Sequence, residues 1–180
     1  MTLELASERI VRKPWGKTDL RPWSERGHDG APIGEIWFQR ADAAAPEPKL
    51  LLKLLFTDEA LSIQVHPDDI FAKMIGLPHG KTEAWYVLSA EPGAKIAMGL
   101  KRELTAPQLR AAIGDSSLPD LVHWEDVRAD DAVLVRAGTI HAIGAGLVIA
   151  EIQQRSDATF RMFDYGRSRE LKSLSASSAA

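Results

Sequence analysis

The chain has 180 residues, with 25 acidic and 22 basic side chains, a net charge of −3 and no cysteine. That length suits one domain with its own core, and the lack of cysteine excludes disulfides and thiolate metal sites. The charges are mixed rather than gathered into a basic stripe, which argues against general nucleic-acid binding while leaving room for a phosphorylated small molecule held by one or two cations.

The start, MTLELASERIVRKPWGK, lacks the basic and then apolar pattern of a signal peptide. Strand-length apolar runs are predicted at 34–39 and 49–56, joined by the surface connection 41–48. The second run is too short to cross a bilayer. A strand at 61–66 comes next, then a helical piece at 70–75 after the Pro67-Asp68-Asp69 turn. Strands at 83–89 and 95–99 precede a helix at 107–113, with Thr105 as N-cap and Gly114 as its stop. Strands at 132–137, 146–154 and 159–164 complete the pattern. Short strands with few helices predict an all-β chain closed into an antiparallel barrel or jelly roll rather than a parallel βαβ winding. The reading is one cytoplasmic domain over 1–174 with a small, polar, disordered tail at 175–180. It has no membrane or nucleic-acid partner, and an exposed strand edge offers a route to a homodimer.

Several segments carry chemistry. In the strand ending at His66, alternation puts Leu61, Ile63 and Val65 on one face and Ser62, Gln64 and His66 on the other. A hydroxyl, an amide and an imidazole in a row suit a binding face, or an ordinary strand whose polar side meets solvent. Glu83 shares a face with Trp85 and Val87, and Lys81 precedes it at the strand mouth; the two form part of a site or a surface ion pair. Gly138 and Gly144 bracket His141 and permit tight turns on either side. Together Gln64, His66, Glu83 and His141 supply two imidazoles, a carboxylate and an amide oxygen. Such a set serves a catalytic zinc and equally manganese, iron or nickel. Further on, Glu151 and Gln153 face the polar side of a strand, and Arg161 faces the same way as Phe163 and Tyr165. Arg161 can hold an anionic oxygen, or pair with Glu151 or Asp157 as structural glue.

Four stretches in sequence carry a resemblance: Ser62-Ile63-Gln64-Val65-His66-Pro67-Asp68, Gly80-Lys81-Thr82-Glu83-Ala84-Trp85-Tyr86-Val87-Leu88, Ala137-Gly138-Thr139-Ile140-His141-Ala142-Ile143-Gly144, and the run from Glu151 to Tyr165. With Lys13-Pro14-Trp15-Gly16 and Gly34-Glu35-Ile36-Trp37, they resemble the type I mannose-6-phosphate isomerases from about residue 13 to 170. The resemblance implies a single cupin barrel holding one divalent metal, in the first instance zinc, through Gln64, His66, Glu83 and His141. It also implies interconversion of mannose 6-phosphate and fructose 6-phosphate through a cis-enediol. Arg161 matches the family's catalytic arginine, and Lys81 and Glu151 match residues considered for proton transfer or positioning. Ser62 matches a phosphate-binding serine, Arg167 stands where a phosphate-binding cation is found, and Trp15 and Asp157 are assigned to the substrate. Lys17 and Arg136 depart from the family pattern, and the second barrel and helical insertion of longer members find no room in 180 residues. Three other readings follow: a metal-containing sugar-phosphate-binding cupin without turnover, an isomerase of a different sugar phosphate, or an iron oxygenase using the same ligands.

Overall fold

The computed structural model describes residues 3–26, 29–42 and 44–167. The expected boundary at 174 and the tail at 175–180 lie outside them.

The described chain is mostly strand. In order come β1 (Ala6–Lys17), β2 (Ile33–Arg40), β3 (Leu50–Thr57), β4 (Ile63–Val65), α1 (Asp69–Met74), β5 (Glu83–Ala90), β6 (Lys95–Leu100), α2 (Ala106–Gly114) and α3 (Leu118–Leu121). Then follow β7 (Val122–Asp126), β8 (Ala132–Val135), β9 (His141–Ile143), β10 (Leu147–Gln154) and β11 (Phe160–Phe163). They build a six-stranded sheet in the order β1-β2-β3-β10-β5-β8 and a five-stranded sheet in the order β11-β4-β9-β6-β7. Every pairing is antiparallel, as the all-β barrel reading requires.

Three strands escape the sequence pattern: the three-residue β9 inside the smaller sheet, and β1 and β7, which are both sheet edges. Edge strands tolerate proline and charge; β1 carries Pro14 and five charged residues within ASERIVRKPWGK, so no apolar alternation marks it. The anticipated helices are present. Thr105 caps α2 in a capping box with Gln108, and the helix runs through Gly114 to a C-cap at Asp115, one residue beyond the expected stop. The single-turn α3 was not anticipated.

Apolar side chains form three clusters. Trp15, Leu55, Trp85, Val87, Ile96, Ile143 and Ile149 are among those that fill the space between the sheets. Ile63, Ala97, Ala142 and Val122 pack with Ala112 of α2 and Leu118 of α3, so the helices cover the outside of the five-stranded sheet. Leu20, on the segment after β1, packs with Ile33, Ile36, Phe56 and Val148 on part of the outside of the six-stranded sheet. Gly16 and Gly34 allow β1 and β2 to close tightly: a Cβ on Gly16 would lie 2.3 Å from the carbonyl carbon of Ile33, and one on Gly34 would lie 2.7 Å from the Trp15 ring.

Register places one row across the inner face of the larger sheet: Arg9, Trp37, Lys53, Glu151, Trp85 and Val133 on six successive strands. Five of these six are charged or carry an indole N–H, so the barrel interior is polar on this side.

Candidate metal centre and cavity

The space between the sheets opens as a cavity of about 380 Å³. Ser62, Gln64, Lys81, Glu83, Glu151, Asp157, Arg161 and Trp15 all line it, as do Arg9, Lys13, Glu35, Trp37 and Lys53. Eight of the sequence-assigned residues thus converge on one wall system. His66 and His141 are buried directly behind, against Gln64, Lys81 and Glu83. Arg167 is placed elsewhere. It pairs with Asp164 at 2.9 Å and Glu59 at 3.5 Å, donates to the Ala60 carbonyl at 2.7 Å, and is not among the lining residues.

His66, Glu83 and His141 bring their ligand atoms within 4.8 Å of one another, all fully buried. His66 follows β4 and His141 opens β9, neighbours in the five-stranded sheet, while Glu83 opens β5 in the other sheet. The tautomers follow from the partners. Nδ1 of His66 lies 2.8 Å from the Ala158 carbonyl, and Nδ1 of His141 lies 2.8 Å from that of Thr139. A carbonyl only accepts, so both Nδ1 atoms carry the proton and both Nε2 lone pairs turn toward Glu83, at 3.4 and 3.8 Å. Burial holds both imidazoles below the ordinary histidine range, His141 at about 4. The neutral, metal-ligating form is therefore the resting form.

Glu83 is the reverse case. Burial alone raises a carboxyl, but His66, Lys81 and His141 outweigh it and hold this one ionised, well below the usual range. Lys81 Nζ lies 2.6 Å from Oε1 and 3.3 Å from His66 Nε2. The ion pair is close but poorly angled, so both carboxylate oxygens are buried without a hydrogen-bond donor. Buried carboxylate oxygens rarely remain so unless a ligand claims them. Two imidazole lone pairs and an orphaned carboxylate fit a divalent cation. Gln64 completes the group: its amide nitrogen lies 3.4 Å from His141 Nε2, its oxygen accepts from Ser62 at 3.3 Å, and a half-turn would offer the oxygen instead.

A second charged group lies along the register row. Lys53 Nζ donates to Gln153 at 2.5 Å and pairs with Glu151 at 3.2 Å and Glu35 at 3.6 Å. Trp85 donates to Glu151 at 3.1 Å and Trp37 to Glu35 at 2.6 Å, while Lys13 reaches Glu35 at 3.5 Å. Burial and the field of Glu83 push the Glu151 carboxyl up despite Lys53, whereas two flanking carboxylates push Lys53 up despite its burial. Lys53 is thus held as a cation, and the Glu151 carboxyl lies above the ordinary carboxylate range. The sequence reading missed Lys53 and Glu35. The available signal was a lone lysine in the otherwise apolar run Leu50-Leu51-Leu52-Lys53-Leu54-Leu55-Phe56, with the inward parity of Leu51 and Leu55.

No protein-family model matches the chain. A mannose-6-phosphate isomerase of Streptococcus mutans is 37 % identical over 144 residues, 78 % of this chain but 45 % of that protein. The chain therefore spans about half the length of the curated relatives it matches. The solved mannose 6-phosphate isomerase of Bacillus subtilis superposes with a TM-score of 0.81 at 28 % identity, covering 93 % of this chain and 63 % of that one. A zinc-bound mannose 6-phosphate isomerase structure shares the fold at a TM-score of 0.65 and 15 % identity, covering 93 % of this chain and 72 % of that one.

Proposed function

As the chain belongs to the mannose-6-phosphate isomerase family, we propose that it is an aldose–ketose isomerase interconverting mannose 6-phosphate and fructose 6-phosphate. One divalent metal, zinc, would be held by His66, Glu83 and His141 with Gln64. The observation that carries this reading is the buried Glu83 carboxylate, orphaned of donors and faced by two Nε2 lone pairs. A holo relative of the same fold has zinc bound. When bound, zinc supplies polarisation of the sugar's carbonyl and hydroxyl oxygens.

The chain's own residues do the rest. Arg161, on the cavity wall, presents a permanent cation to the oxygen that gains charge when the C2 proton leaves. Glu151 lines the same cavity with its carboxyl raised by burial and its position fixed by Lys53, which supports a role for it in moving the proton between C1 and C2. Lys81 lies against His66 and Glu83 on the cavity wall, where its ammonium would hold a substrate oxygen beside the metal. Ser62, Asp157 and Trp15 complete the substrate walls. The setting is the cytoplasm; no helix among the described residues is long and apolar enough to cross a membrane.

The test is conversion of mannose 6-phosphate to fructose 6-phosphate by zinc-loaded protein, with a chelated sample alongside. Turnover that stops on chelation and returns with metal is expected, and Arg161→Ala should lower kcat by about 10²–10³. Zinc-loaded, folded protein without turnover would overturn the isomerase reading, and a fully active Arg161→Ala would overturn that residue's role.

A further inference from the structure

The outer face of the six-stranded sheet is only half covered. Around Leu20 it is packed, but across β3, β10, β5 and β8 it meets solvent with Leu50, Leu52, Tyr86, Leu134 and Ile152, each between 42 % and 56 % exposed. Antiparallel sheets with one solvated face ordinarily carry polar side chains there. Here the outward positions form two apolar rows in strict register. One is Leu52, Ile152, Ala84 and Leu134; the next is Leu54, Ala150, Tyr86 and Ala132. On each of β10, β5 and β8, one row therefore carries a large side chain where the other carries an alanine.

We propose that this face is a homodimer interface, occupied by the same face of a second copy of this chain. A two-fold axis lying across the strands, along the row of Lys53, Glu151, Trp85 and Val133, sets the first row of one copy against the second row of the other. Tyr86 then meets Ala84, Ile152 meets Ala150, and Leu134 meets Ala132, each contact made twice, as an isologous interface requires.

The charges at the two ends of β8 agree with the same axis. Asp130 accepts the Tyr86 hydroxyl at 2.7 Å on this face, and Arg136 is exposed at the other end with no ion pair among the described residues. The operation that puts large on small also brings Arg136 of one copy to Asp130 of the other. The pairing uses the sheet face rather than the strand edge anticipated from sequence.

Sedimentation analysis of the full chain at micromolar concentration tests this, with the zinc-induced rise in Tm as a check on folding. A dimer is expected, and Leu134→Asp or Ile152→Asp should weaken it by about thirtyfold or more while the zinc response persists. Arg136→Ala and Asp130→Asn should each weaken it, asparagine being chosen because residue 130 has a φ of 74°. The double variant should be no weaker than either single one. A monomeric wild type, including one whose face is protected from exchange by its own C-terminal segment, would overturn the proposal. So would a dimer indifferent to Leu134→Asp, or fully additive effects of the two charge variants.

Discussion

Two charged groups share the barrel interior and are finished to different degrees. Around Lys53 every carboxylate has a protein partner: Glu151 takes Lys53 and the Trp85 N–H, and Glu35 takes Lys53, Lys13 and the Trp37 N–H. Around Glu83 two imidazole lone pairs face a carboxylate that makes no hydrogen bond, and the one protein cation beside it is Lys81, 2.6 Å from Oε1 in an ion pair of poor angle. The first group is complete as folded. The second is left open for something positively charged. The contrast separates charges that hold the site's shape from charges that hold its ligand.

Breaking the finished group should have the largest effect on stability. Lys53→Met leaves Glu35 and Glu151 buried without their shared cation and should cost about 3–5 kcal/mol in chemical denaturation; a loss under about 1 kcal/mol would mean the network is not what shapes the wall. The open group should respond to metal instead. Zinc at a hundredfold excess over its Kd should stabilise the protein by about 2.7 kcal/mol, read as a rise in Tm. Glu83→Gln and His141→Ala should lose that response, and a wild type indifferent to zinc would remove the distinction between the groups. Trp37→Phe removes one hydrogen bond to a charged group and should cost about 1.5 kcal/mol without changing the zinc response.

The smallest effect is one of pH. Without metal, burial holds His141 at about 4 in the folded chain, against an ordinary histidine value of about 6.5. The unfolded chain therefore binds more protons between those values, and metal-free stability should fall as pH drops through that window. His141→Gln should flatten the profile, and a wild type already flat there would show that the imidazole is not held neutral by burial.

The open group was legible in the sequence, whereas of the finished one only Glu151 and Gln153 were. Gln64, His66, Glu83 and His141 stand in short strands whose alternation, with turn glycines, shows which side chains share a face. Lys53 has the same parity argument available, yet a single lysine among leucines reads as a surface residue until register sets it beside Glu151 and Glu35. Those partners lie on other strands, and cross-strand pairing is not written locally. The edge strands were hidden for a similar reason: β1 is constrained on one side only, so it keeps Pro14 and its charges. Arg167 carried a motif position but spends its guanidinium on Asp164, Glu59 and a carbonyl. Position in a motif does not by itself fix where a long side chain goes.

The metal group draws on both sheets, with Glu83 in one and both imidazoles in the other. An ion bound there would be a cross-link between layers otherwise joined by apolar packing and connecting loops. It would tie together the opening motions of β4, β5 and β9, so that amides in both sheets exchange with solvent as one cooperative unit when zinc is present and as two when it is removed.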